Sequence, residues 1–147
     1  MKRTLIALVL VFALLVAFAQ VANTKAAEKG WKKTVTLSSG EVILDMSGEW
    51  DCFIEYQGMY SGLRSHKVTT EITQEGKTFV GVRLQDTPYW PKGTESIKGE
   101  LQGDGFKTVY ANRSDVGWTP CKWEIIENGN KILLNDERVL KLTFKRK

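Results

Sequence analysis

The chain has 147 residues, of which 42% are hydrophobic and 26% are charged. Its 21 basic and 17 acidic residues give a formal charge of +4, without the clustered cations of a nucleic-acid-binding surface. No basic amphipathic helix is apparent, which argues against attachment to a membrane surface. Length and composition therefore predict one globular domain that binds no nucleic acid.

The N-terminus has the layout of a secretory signal peptide. Two basic residues precede an uncharged apolar stretch over residues 5–19, and small and polar residues follow. We predict a signal peptide over residues 1–19 or 1–26, a periplasmic or secreted protein, and no stable membrane anchor. The alternative is an uncleaved anchor, because the apolar stretch could extend toward the roughly 20 residues that span a bilayer.

Residues 27–45 have no clear place in the regular pattern that follows. We interpret them as an N-terminal arm or as an extra hairpin, and the sequence leaves both open. Residues 46–147 form the predicted β-barrel domain, because their side chains alternate with period two and glycine-containing turns interrupt them.

The predicted strands each place a set of side chains on one face. From the alternation, the sets that share a face are Trp50, Cys52, Ile54 and Tyr56; Val68, Thr70 and Ile72; Val80, Val82 and Leu84; Ile97 and Leu101; and Leu140, Leu142, Phe144 and Arg146.

Short turns join these strands at residues 74–77, 102–106 and 127–130, where the last contains an Asn-Gly pair typical of hairpins. About eight strands in such an order predict an all-β fold, an antiparallel up-and-down barrel that closes on itself and leaves no exposed edge. A two-sheet sandwich is the alternative.

Closure of this barrel would bring its first and last strands together. Trp50 begins the first strand and Arg146 ends the last one on the same face, so antiparallel pairing predicts that the two meet. A guanidinium over an indole gains roughly 0.5–2 kcal/mol. The pair would therefore plug one end of the barrel.

These residues give the chain a resemblance to the lipocalins and their calycin relatives. Gly48-Glu49-Trp50 is similar to the Gly-x-Trp of their first strand, and Arg146 stands where their last strand supplies a basic residue. The resemblance implies a lipocalin-like barrel and a structural role for Gly48, Trp50 and Arg146 at the plugged end.

Only two cysteines occur, Cys52 and Cys121. In an exported protein they favour a disulfide, which would close a loop of about 69 residues and contribute about 4 kcal/mol by the chain-entropy model. The alternative is a pair of buried free thiols.

The sequence shows no constellation typical of an enzyme. His66 is the single histidine, and neither zinc-ligand nor calcium-loop spacing occurs among the cysteines and acids. We therefore expect no catalytic activity, no bound metal and no cofactor.

Aromatic residues supply the best candidates for a binding site. Counting strand directions from the plugged end places five of them at the opposite, open end, as a predicted ligand-binding cluster: Tyr56, Tyr60, Tyr89, Trp90 and Trp118.

Two functions follow from this arrangement. The first is an extracytoplasmic protein that holds a small apolar or amphiphilic ligand in its barrel. The alternative is a module that binds a protein partner, such as a protease inhibitor, through an N-terminal arm. A cavity of about 300 Å³ or more lined by aromatic residues would favour the ligand, and a barrel filled by side chains with an extended N-terminal arm would favour the protein partner.

Overall fold

The computed structural model describes residues 29–147, an all-β part of the chain. The predicted signal peptide, over 1–19 or 1–26, lies outside the described residues. Within residues 29–147, no helix has the length and apolarity needed to cross a membrane. The strands are β1 Thr34–Thr36, β2 Val42–Leu44, β3 Gly48–Tyr56, β4 His66–Glu75, β5 Thr78–Arg83, β6 Glu95–Gln102, β7 Gly105–Arg113, β8 Gly117–Pro120, β9 Lys122–Ile126, β10 Lys131–Asn135 and β11 Leu140–Arg146.

Nine of these strands form one antiparallel sheet that curls into a nearly closed barrel. Their order is β8-β7-β6-β5-β4-β3-β11-β10-β9. Only Cys121 separates β8 from β9, and its N–H donates a hydrogen bond of 2.9 Å to the carbonyl of Val109 on β7. Because β8 pairs with β7 and β9 pairs with β10, this bent segment connects the two ends of the sheet. The predicted up-and-down barrel is confirmed.

The remaining two strands, β1 and β2, pair as a small hairpin. Both lie within residues 27–45, for which the sequence left open an N-terminal arm or an extra hairpin. The hairpin packs on the barrel end that carries the β4–β5 and β6–β7 turns. The Glu41 carboxylate lies 2.5 Å from the Lys77 ammonium and accepts a hydrogen bond of 3.1 Å from the N–H of Gly103. The hairpin therefore covers this end and contributes Ile43 and Leu44 to the core, and Met46, which follows it, is also buried.

The inward faces of β3, β4 and β11 agree with the predicted alternation. Their buried side chains are Trp50, Cys52 and Ile54; Val68, Thr70 and Ile72; and Leu140, Leu142 and Phe144.

The prediction for β5 is wrong by one residue. Its inward side chains are Phe79 and Arg83, with Gly81 between them, and not the valines at 80 and 82. Gly81 pairs directly with the inward Ile72 of β4, and partners across an antiparallel ladder point to the same face. A Cβ on Gly81 would lie 2.8 Å from the side chain of Ile97, so the interior has room only for glycine there.

The predicted disulfide is absent, since Cys52 and Cys121 are both free thiols. Across the ladder, Cys52 pairs with Phe144, which pairs with Ile132, which pairs with Ile125 on β9. Cys121 thus lies three strands from Cys52 and a further four residues along the chain. At about 4.8 Å per strand, the two are beyond the roughly 7 Å between Cα atoms that a disulfide spans.

The free thiols lead to a testable expectation. Burial raises the pKa of Cys121 to about 11, and burial also raises the pKa of the fully enclosed Cys52. Little thiolate then exists at pH 7, and thiolate is the reactive form. Unreduced protein should react very slowly with 5,5′-dithiobis(2-nitrobenzoate) when folded and should titrate two thiols in guanidinium chloride. Titration of no thiols in guanidinium would contradict this arrangement.

Candidate functional site

The plugged end of the barrel is built around Trp50. The indole has no exposed surface, and the Arg146 guanidinium carbon lies 4.2 Å from the ring centroid. The indole N–H donates to the carbonyl of Met46 at 2.8 Å, and Arg146 donates to the carbonyl of Ser47 at 3.1 Å. Gly48 begins the strand at φ +111°, a conformation that L side chains rarely adopt. The indole N–H and both terminal nitrogens of Arg146 are thereby tied to the backbone, whereas the buried Nε of Arg146 has no partner among residues 29–147.

The opposite end of the barrel contains a cavity of about 80 Å³. Four of the five aromatic residues predicted for the binding site line it: Tyr56, Tyr60, Tyr89 and Trp90. Tyr56 is the last residue of β3, and its ring meets the Tyr89 ring edge-to-face with 5.3 Å between centroids. Burial, followed by the neighbouring Tyr89, raises the pKa of Tyr56 to about 12, so its hydroxyl is uncharged at neutral pH.

The loop between β5 and β6 holds Trp90 in place. The Thr87 hydroxyl accepts a hydrogen bond of 3.0 Å from the N–H of Trp90, and the N–H of Thr87 donates to the Trp90 carbonyl at 2.8 Å. The Asp86 carboxylate accepts from the N–H of Lys92 at 2.8 Å. These bonds close the loop on itself and leave the indole facing the cavity, with the Arg83 guanidinium carbon 4.9 Å from the ring centroid.

Trp118 does not belong to this cluster, contrary to the prediction. It pairs with Asn112 on β7, whose neighbours Ala111 and Arg113 are the buried, inward-facing residues. Instead, Nζ of Lys98 lies over its ring, 4.1 Å from the ring centroid. Counting strand directions placed Trp118 at the correct end of the barrel, but the parity of β8 puts its ring on the outer face.

Sequence reasoning missed the charged residues of the same end. Arg113 is 8% exposed and is paired with two carboxylates, Asp115 and the fully buried Asp136. Asp136 also accepts hydrogen bonds from the backbone N–H groups of three residues: Arg138, Val139 and Leu140. In the sequence these residues resemble the charged residues that are common in turns, and no local pattern links positions 113 and 136.

Arg83 is the second buried arginine at this end and was also missed. Its side chain lines the cavity and is only 4% exposed. One hydrogen bond is present, from Nη1 to the carbonyl of Glu95 at 3.2 Å, and the buried Nε has no partner among residues 29–147. Burial lowers the pKa of Arg83, although a guanidinium stays protonated at physiological pH.

The cavity is much smaller than the roughly 300 Å³ expected of a site that encloses a whole ligand. Side chains fill the rest of the barrel: Phe79 packs on Phe106 with 5.4 Å between ring centroids, and Trp50 occupies the far end. The space is therefore confined to the open end, which we call the mouth. Within the described residues, no group of three or more histidine, cysteine or acidic side chains is arranged to hold a metal ion.

Comparison of the chain with protein-family models, with curated proteins and with solved structures found no match.

Proposed function

We propose that the protein is a lipocalin-like, extracytoplasmic binding protein whose barrel mouth holds part of a small amphiphilic ligand. The observation that carries the proposal is the mouth cavity, in which aromatic rings stand beside a buried cation. Apolar walls from Ile54, Leu140 and Leu142 support the apolar side of the ligand, and Tyr60 and Ser96 supply hydroxyl groups. The export route rests on the signal-like N-terminus.

The size of the cavity limits what it encloses. About 80 Å³ is room for a head group and a few attached carbons, so the rest of the ligand would extend across the rim. Three apolar side chains are exposed on the connections around this end: Met59 at 84%, Val116 at 64% and Leu63 at 36%. They supply the surface that such an extension would contact.

The same exposed rim favours the second candidate function, binding of a protein partner. Residues 34–44, part of the candidate arm, are paired as the β1–β2 hairpin and packed on the plugged end. A partner would therefore meet the apolar rim of the mouth rather than an extended arm. Ligand binding remains the first candidate, because an apolar rim that binds a protein partner would not require a buried cation beneath it.

Trp90 and Trp118 provide a matched pair for testing the proposed function. We expect native mass spectrometry of protein purified from its own host to show a retained small molecule. Trp90→Ala should reduce its occupancy at least tenfold, because this indole faces the mouth cavity. Trp118→Ala should keep it, because that indole lies on the outer face. Equal occupancy in both variants would place the ligand elsewhere and contradict the proposal.

A further inference from the structure

We propose that Arg83 is an anion subsite, and that the ligand enters the mouth head first with a carboxylate bound to this guanidinium. The inference rests on the proposed function and adds the chemical class of the ligand.

Arg83 is buried without a counter-charge in the described part of the chain. Within residues 29–147, no carboxylate lies within 4.0 Å of Arg83, although only 4% of the residue is exposed. Its neighbours are neutral, namely the Tyr56 phenol, the Cys52 thiol and the Trp90 ring. A buried charge is ordinarily paired, because removal from water is costly. The described part of the chain leaves this one without a counter-ion.

Arg113, at the same end of the barrel, differs from Arg83 in its partners. Arg113 is buried to a similar degree, yet it has ion pairs with two carboxylates, those of Asp115 and Asp136. An arginine with a structural role at the mouth is thus accompanied by carboxylates from the protein itself. Arg83 has aromatic and aliphatic neighbours in their place, which leaves its charge available to a ligand.

The geometry of the Arg83 guanidinium suits a planar anion. The guanidinium of Arg83 forms one side of the cavity, its Nε is buried without a partner, and one of its five N–H groups is bonded to Glu95. The planar guanidinium fits a carboxylate through two parallel hydrogen bonds. Arg113 also lines the cavity but already has carboxylate partners, so Arg83 is the one lining cation without such a partner among residues 29–147. One such guanidinium in about 80 Å³ matches a singly charged head group better than a phosphate dianion, and the apolar rim fits an alkyl or aryl tail.

The experiment compares three six-carbon probes at pH 7: hexanoate, 1-hexanol and hexyl phosphate. Affinities come from calorimetry, and backbone amide shifts in ¹⁵N-labelled protein locate each probe. Hexanoate should bind at least tenfold more tightly than 1-hexanol and should shift amides of residues 56–63 and 84–95. Arg83→Gln should remove this preference. Lys98→Gln, which removes an outer-surface cation that contacts Trp118, should preserve it within about twofold.

The outcomes separate this inference from the proposed function. Equal affinities for hexanoate and 1-hexanol at the mouth would overturn the anion subsite and leave the binding function standing. Tighter binding of hexyl phosphate would overturn the assignment to a carboxylate. Shifts from no probe at the mouth would overturn both. If Arg83→Gln does not fold, the comparison of hexanoate with 1-hexanol in the unaltered protein still decides the question.

Discussion

Replacement of Trp50 by alanine should lower the free energy of unfolding by about 3–5 kcal/mol, the usual cost of deleting a fully buried large aromatic ring. The indole has no exposed surface, contacts Arg146 and donates its N–H to Met46. Its loss would open a cavity at the plugged end and leave a half-buried guanidinium above it. Urea denaturation monitored by circular dichroism measures the effect.

Three further variants separate the parts of this effect. Trp50→Phe keeps most of the ring and removes the hydrogen bond to Met46, so it should cost about 1–2 kcal/mol. Arg146→Gln removes the cation over the ring and should cost a similar amount. Trp118→Ala is the matched control on the outer face. If Trp50→Ala lowers the free energy of unfolding no more than Trp118→Ala does, the plugged end does not stabilise the barrel.

Replacement of Asp136 by alanine should be about as destabilising, at about 3–5 kcal/mol. The Asp136 side chain is completely buried and lies 3.4 Å from Nη1 of Arg113. It also accepts hydrogen bonds from the backbone N–H groups of the first residue of β11 and of the two residues before it. Alanine would leave these donors without an acceptor and would deprive Arg113 of its buried counter-ion. Each such loss is costly where water cannot replace the partner.

Asp136→Asn and Glu137→Gln test the cause of this loss. Asparagine keeps an acceptor for the backbone N–H groups and removes the charge, so its cost should fall below that of alanine. Among residues 29–147, the side chain of Glu137, the next residue, makes only an exposed ion pair with Lys122, and its substitution should change stability by less than about 1 kcal/mol. A cost for Asp136→Ala as small as that for Glu137→Gln would refute a structural role for the buried carboxylate.

The alternation of large and polar side chains was sufficient to predict much of the barrel. In β3, β4 and β11 the apolar residues stand at every second position, so one face is clearly the buried one. The glycine-containing turns with Gly76, Gly105 and Gly129 are likewise local signals, because these glycines have backbone conformations that other residues seldom adopt. The contact between Trp50 and Arg146 followed from these strands and from closure of the sheet.

Local signals were insufficient where both faces of a strand carry plausible core residues. In β5, valines alternate with phenylalanine, glycine and arginine, and only pairing with Ile72 and Thr70 of β4 decides which set is inward. The prediction for Trp118 was wrong for the same reason, because it assigned the ring to the inner face of β8. A shift of one residue moves every side chain of a strand to the other side of the sheet.

The order of the residues was enough to predict the all-β class, the meander order, the plugged end and four aromatic residues that surround the mouth. The three-dimensional structure was needed to establish the pairing of β1 with β2, the separation of Cys52 from Cys121, and the burial of Arg83 without a carboxylate beside it. Alternation and turns are properties of neighbouring residues, which the linear sequence records. Distances across the barrel and the absence of a counter-charge among residues 29–147 depend on which distant residues the closed sheet brings together.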